Sequence, residues 1–326
     1  MKGRSFLKLL DFSTEEIRGL IELAKDLKSD KKNNMEKQNL KGKNLVLIFE
    51  KDSTGTRCAF EVGALDQGAR TTYLGTVGSQ IGKKESIIDT ARVLGRMFDG
   101  IEYRGSSQEK IEELAKHAGI PVWNGLTDKF HPTQILADFM TIEEKKGNLS
   151  EQKLVYVGDG RSNMGNSLLI GAAKMGMDFT LLSPLELFPE RKLITKAKEI
   201  AKDTGAVINF EMLPKKALQD ADIVYTDVWL SMGEDFHMWK DRIEMLKEYQ
   251  VNKKLMGYAK KDAIFMHCLP AFHNLETEIG EKIYQEFGLK ELEVSDEVFE
   301  SEQSVVFDQV ENRVHTIKSI LVATLG

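Results

Sequence analysis

Short runs rich in Val, Ile, Leu and Phe alternate along the whole chain with longer stretches of helical apolar spacing. This alternation constrains the fold more than any other feature. In the first half the runs are Asn44–Phe49, Thr71–Leu74, Gly100–Tyr103 and Pro121–Trp123; in the second they are Leu154–Val157, Phe179–Leu182, Val207–Phe210, Ile223–Tyr225 and Ala263–Met266. Glu85–Met97, Gln108–His117 and His131–Lys146 have helical spacing between or after strands, and Glu311–Leu325 reads as a terminal amphipathic helix. Strands joined by helices give right-handed βαβ crossovers and parallel sheets. With 326 residues, the chain suits two domains of about 150 residues each. The expected class is therefore α/β, with two doubly wound domains, each a central parallel sheet flanked by helices. The charged stretch 143–152 reads as the link between them.

Composition narrows the functional classes. Charged residues make up 29% and the net charge is −6, which argues against a nucleic-acid surface. Cys58 and Cys268 stand far apart without a CxxC partner, so neither a disulfide framework nor a structural zinc site is expected. The first residues lack a sustained apolar region, and no segment approaches the ~20 apolar residues of a spanning helix. A cytoplasmic protein with no membrane partner is the expectation.

Open parallel sheets bind ligands beyond the carboxyl ends of their strands, which directs attention to the residues that follow each run. After the first come Ser53-Thr54-Gly55-Thr56-Arg57. With Ser53 capping a helix through Cys58–Leu65, this stretch is either a plain N-cap or an anion cradle of outward amides and hydroxyls. It is not a P-loop, and Gly78–Lys84 lacks that motif's spacing. Gly158-Asp159-Gly160 falls short of a dinucleotide fingerprint, because Asn163 stands where its last glycine belongs. His131 and Gln134 lie one helical turn apart, suited to polarising a carbonyl and binding an amide. Asp227 and Ser231 leave a strand as a carboxylate and a hydroxyl fit to hold an ammonium group, or as a loop anchored by Trp229. His267 and Cys268 are neighbours on an extended chain and point apart, so a binding thiol or carbonyl is favoured over a Cys–His nucleophile.

Five stretches together resemble the ornithine carbamoyltransferases: FEKDSTGTRCAFE (Phe49–Glu61), FHPTQILAD (Phe130–Asp138), DVWLSMGE (Asp227–Glu234), HCLPAFH (His267–His273) and FDQVENRVHTIK (Phe307–Lys318). LGRMFDGIEYRG (Leu94–Gly105) and VWNGLTDKFHPTQ (Val122–Gln134) extend the resemblance. It implies transfer of a carbamoyl group from carbamoyl phosphate to the side-chain amine of L-ornithine, giving citrulline and phosphate without metal or organic cofactor. It also implies a carbamoyl phosphate-binding domain of residues 1–148 joined by the C-terminal helix 307–326, and an ornithine-binding domain of residues 149–306. Carried onto matching positions, Ser53, Thr54 and Thr56 hold phosphate, and Arg104 bridges phosphate and the carbonyl oxygen. His131 donates to that oxygen, Gln134 and the backbone of Cys268 and Leu269 receive the carbamoyl NH₂, and Arg313 completes the pocket. Asn163 and Leu126 meet the α-carboxylate end of ornithine; Asp227, Ser231 and Met232 meet its α-amino end, and Cys268 orients the attacking amine. Homotrimeric assembly follows from the same resemblance, with Gln80 reaching a neighbouring subunit's site. Two departures stand out: Gly55 replaces an arginine of the family's Ser-Thr-Arg-Thr-Arg phosphate motif, and Asn274 replaces a common aspartate. The first implies weakened carbamoyl phosphate binding. A carbamoyltransferase for another amine, or a non-catalytic ornithine-binding member, are the competing readings.

Overall fold

In a computed structural model, which describes residues 1–76, 85–230, 234 and 236–326, the chain divides into two compact units. One comprises Met1–Thr141 with Val310–Gly326, and the other Ile142–Gln309. The divisions fall inside two helices, Pro132–Lys146 and Val306–Leu325.

The apolar runs form the strands. In the first unit these are β1 (Asn44–Phe49), β2 (Arg70–Leu74), β3 (Gly100–Arg104) and β4 (Val122–Leu126), a parallel 4-stranded sheet in the order β2-β1-β3-β4. Leu45 to Phe49 are all buried, as expected of a central parallel strand covered on both faces. Val46 and Ile48 pack with Ile101, Tyr103, Ile111 and Leu114 on one side of the sheet. In the second unit β5 (Lys153–Val157), β6 (Asp178–Leu182), β7 (Val207–Glu211), β8 (Ile223–Thr226) and β9 (Ile264–His267) form a parallel 5-stranded sheet in the order β7-β6-β5-β8-β9. Val155, Val157, Val224 and Phe265 build its core with Leu218, Val251 and Val294. The expected α/β class, with two parallel sheets flanked by helices, is what the chain adopts.

Strand order locates a crevice in each sheet. The chain winds to one side of β1 and then returns to β3, so the switch point of the first sheet lies between β1 and β3. In the second it lies between β5 and β8. Loops that leave a switch point diverge, opening space for a ligand at the carboxyl ends of the strands.

Two elements differ from the sequence reading. β4 runs on through Asn124-Gly125-Leu126, past the expected end at Trp123. Asn124 is fully buried and donates to the carbonyl of Leu7 (2.8 Å), and the ladder shifts register opposite Tyr103 and Arg104, so the strand continues past the polar residue. The terminal helix begins at Val306 rather than Glu311. Its first turn is anchored by polar contacts that apolar periodicity does not register: Gln309 accepts from the His267 amide (3.1 Å) and donates to the Tyr225 hydroxyl (3.4 Å).

The remainder of that helix is bonded throughout the first unit. Asn312 donates to Thr141 (2.9 Å) and accepts from Lys28 (2.8 Å), and Thr324 accepts from the Trp123 indole (3.0 Å). Lys318 is fully buried and paired with Glu36 and Asp66, the latter also held by Lys31. Beside it His315 is buried, and burial reinforced by the charges of Lys318, Lys28 and Lys31 lowers its pKa from 6.5 to about 4. A depressed histidine pKa means that the unfolded chain binds this proton first as pH falls. The neutral ring's contribution is complete above pH 6.5 and is lost progressively toward pH about 4. Urea unfolding of the wild type and His315→Gln across this range should show the wild type losing stability relative to the variant as pH drops; a constant difference would contradict the assignment.

Candidate active site

The first unit gathers one polar cluster at its switch point. Ser53 caps the helix Thr54–Asp66, its hydroxyl accepting from the Thr56 amide (3.3 Å). The amides of this first turn project toward the positive end of the helix dipole. Thr56 is fully buried, and its hydroxyl accepts from Arg104 Nη1 (3.2 Å) and Arg313 Nη2 (2.9 Å). Those two bonds occupy both lone pairs and leave the hydroxyl hydrogen to donate. Arg104 ends β3 and Arg313 comes from the terminal helix, so three elements converge on one oxygen.

Gly55 and Thr54 are exposed on the same turn. A Cβ at Gly55 would meet only Arg313 Nη1, at 3.8 Å, so the position opens onto space beside a guanidinium. Arg57 does not fill that space: it bonds Glu61 (3.0 Å) and lies over the Tyr73 ring, 3.8 Å from its centroid.

His131 and Gln134 belong to the same unit and are almost wholly buried. Burial, with the charges of Arg313 and Arg104, holds the His131 pKa well below its usual value, so the ring is neutral near pH 7. Gln134 Nε2 donates to Asp138 (2.8 Å), which fixes the amide and turns its oxygen away. That oxygen is buried and has no hydrogen-bond partner among the described residues, leaving an acceptor for an N–H group. Leu126 ends β4, its carbonyl accepting from Gly105 (3.0 Å).

The second unit holds the other cluster. Asn163 opens the helix Asn163–Met175 after β5, Asp227 follows β8, and Cys268 follows β9. The Cys268 thiol donates to Asp227 Oδ1 (3.1 Å), which also accepts from the Val228 amide (2.8 Å). Burial raises the Asp227 pKa, partly countered by His267 and the thiol bond. His267 does not activate the thiol: its Nδ1 accepts from the Leu269 amide (3.0 Å), and its Nε2 stands 3.4 Å from Glu293 without hydrogen-bond geometry. Leu269 has φ 50°, a left-handed conformation that a non-glycine residue adopts only under tertiary constraint. The ligand-capable atoms of Asp227, His267 and Cys268 lie within 4.8 Å of one another, already engaged in these hydrogen bonds. Trp229 is buried in a hydrophobic cluster with Leu230, Trp239 and Phe272. Gln80, Ser231 and Met232 lie outside the described residues. No helix among the described residues is long and apolar enough to cross a membrane.

Residues 4–144 match the family description "Aspartate/ornithine carbamoyltransferase, carbamoyl-P binding domain", and residues 150–324 match the companion "Asp/Orn binding domain". The chain belongs to the aspartate/ornithine carbamoyltransferase family. It is 58% identical over 326 residues to an ornithine carbamoyltransferase of Borreliella burgdorferi (strain ZS7), covering 100% of this chain and 99% of the relative. It is 56% identical to a catabolic ornithine carbamoyltransferase of Treponema denticola, covering 100% of this chain and 96% of that protein. Among solved structures, an ornithine carbamoyltransferase from Pyrococcus furiosus superposes with a TM-score of 0.91 at 42% identity, over 100% of this chain and 98% of that one.

Sequence reading of this family member missed Asp138, which orients Gln134, and Glu293, which accepts from the Phe272 amide (2.6 Å) near His267. It also missed Glu102, fully buried on β3. A carboxylate inside a central parallel strand was the available signal, since such strands otherwise read as apolar.

The shared Thr56 hydroxyl generates a direct test. Thr56→Val keeps the shape but removes the acceptor and the donor, at about 1.5–3 kcal/mol for a bond to a charged group. Inorganic phosphate should bind about ten- to a hundredfold more weakly by calorimetric titration, whereas unchanged affinity would remove Thr56 from the anion site.

Proposed function

We propose that this chain transfers the carbamoyl group of carbamoyl phosphate to the side-chain amine of L-ornithine, giving L-citrulline and phosphate. The observation that carries this reading is the Thr56 hydroxyl shared by Arg104 and Arg313 at a helix start, in a chain 58% identical along its full length to an ornithine carbamoyltransferase. Helix amides, two guanidinium groups and hydroxyls suit a phosphate dianion.

In this reading Ser53, Thr54, Gly55 and Thr56 bind phosphate, and Arg104 and Arg313 stabilise the charge that develops on the leaving group. Neutral His131 donates to the carbonyl oxygen. Its Nδ1 lies 3.4 Å from the Thr133 hydroxyl, and the donating role proposed here requires the tautomer with the ring proton on Nε2, in which that hydroxyl donates to Nδ1. The unpartnered oxygen of Gln134 accepts from the carbamoyl NH₂, with the Cys268 and Leu269 backbone assisting. Asp227, Ser231 and Met232 hold the ornithine α-amino group, Asn163 and Leu126 its carboxylate end, and the Cys268 thiol orients the amine. The uncharged amine attacks, a tetrahedral intermediate forms, and phosphate leaves carrying the proton. Positioning and electrostatic stabilisation supply the rate, so no separate general base is required. The working assembly in this reading is a homotrimer, with Gln80 completing a neighbour's site. The catabolic relatives favour a place in arginine breakdown.

Citrulline formation by the purified protein, with ornithine and with putrescine as acceptors, tests the reading. Turnover confined to ornithine is expected, and preference for another amine or ligand binding without turnover would replace it. Gly55 adds a second expectation. The missing arginine weakens carbamoyl phosphate binding, and a Cβ at this position would meet only Arg313 Nη1, at 3.8 Å. Gly55→Arg should lower the KM for carbamoyl phosphate or raise kcat/KM by about ten- to a hundredfold. Equal kinetics for the two proteins would refute a cost at Gly55.

A further inference from the structure

Glu102 has no part in the reaction just described, yet it occupies the floor of the anion cluster. Alternation along β3 puts Glu102 and Arg104 on the same face of the sheet, with Tyr103 on the other, in the apolar core. The Glu102 side chain is fully buried, and neither carboxylate oxygen has a hydrogen-bond partner among the described residues. It packs over Gly125 of the neighbouring strand. A Cβ at Gly125 would lie 1.9 Å from Glu102 Oε1 and 3.3 Å from the Thr56 methyl, so glycine there makes room for the carboxylate beside Thr56. The charges that act on it come from Arg104 on its own strand and Arg313 on the terminal helix, the same two guanidinium groups that bond Thr56.

We propose that Glu102 is a positioning residue of the anion site: its buried charge is the internal counter-ion of Arg104 and Arg313 and sets how tightly that pair holds a phosphate dianion. A buried carboxylate without hydrogen bonds is costly, and opposite charges nearby offset the cost. The same charge opposes an incoming dianion through a low-dielectric interior. Binding is therefore weaker than two arginines alone would give, which favours release of the phosphate product. Burial, the largest effect, pushes the Glu102 pKa well above the usual carboxylate range against the pull of Arg104 and Arg313, so the charged form gains only as pH rises and is lost as pH falls. His131, facing the same arginines, is already neutral, and Tyr73 and Tyr103, which feel the Glu102 charge, have raised pKa values and stay uncharged.

This inference rests on the phosphate-binding role proposed above, and the experiment separates the two. Sulfate, a dianion throughout the working pH range, is titrated calorimetrically into the full-length wild type, Glu102→Gln and Glu102→Asp, alongside citrulline assays with phosphate as product inhibitor. Glu102→Gln should bind sulfate and phosphate about tenfold or more tightly at pH 8, with kcat reduced by slow product release. Its affinity should be flat with pH, while wild-type affinity rises as pH falls. Glu102→Asp, which keeps the charge, should stay near the wild type. Unchanged or weaker sulfate binding by Glu102→Gln, in a wild type that binds sulfate and forms citrulline, would overturn the counter-ion role alone. Were Glu102→Gln to fail to fold, the wild-type pH dependence decides: pH-independent sulfate affinity overturns it. A wild type that neither binds the dianion nor forms citrulline would overturn both readings.

Discussion

The bonds from Arg104 and Arg313 to the Thr56 hydroxyl are the contact on which the first unit's polar cluster depends. They join a strand end, a helix start and the terminal helix, elements far apart in sequence. Two guanidinium groups brought together repel each other, and they stay together only where acceptors and counter-charges are built around them. Thr56 supplies the acceptor, and the helix start that carries Thr56 supplies the anion-binding amides. The scaffold and the site therefore share one oxygen.

Burial sets the electrostatic character of both clusters. His131 is neutral because it is dry and faces two cations, which makes it a donor rather than an acid. Asp227 is pushed toward its neutral form by burial and drawn back by His267 and the Cys268 thiol. The terminal helix carries the most deeply buried cation of the chain's described residues that has two acidic partners, Lys318 between Glu36 and Asp66. Removing one member of such a group would leave an uncompensated buried charge, so the helix is fixed by polar contacts as well as apolar packing.

Much of this was legible in the sequence, for identifiable reasons. All nine runs formed strands: seven are buried and write themselves as short apolar stretches, whereas β2 and β7 lie at sheet edges with partly exposed residues and were legible from their β-branched and aromatic content. Ser53 read as a cap and caps the helix; His267 read as misdirected for thiol activation and bonds the Leu269 amide instead. Failures came where a residue's partner is remote. The fourth strand reads as ending at Trp123 because nothing local reveals that Leu7 receives the Asn124 amide or that Glu102 needs the space over Gly125. The first turn of the terminal helix was missed because Gln309, a polar residue, anchors it.

The sequence by itself determined the alternating α/β plan, the caps and the residue types that follow each strand, because these depend on local periodicity and backbone chemistry. Family membership followed from five short stretches in order. Only tertiary structure decided which of those residues meet. It put Arg104 and Arg313 on one hydroxyl, turned Gln134 by way of Asp138, set Cys268 against Asp227, and buried a carboxylate within the field of two arginines. Side-chain protonation and pairing depend on burial and on neighbours contributed by distant segments, and neither quantity is defined until the chain has folded.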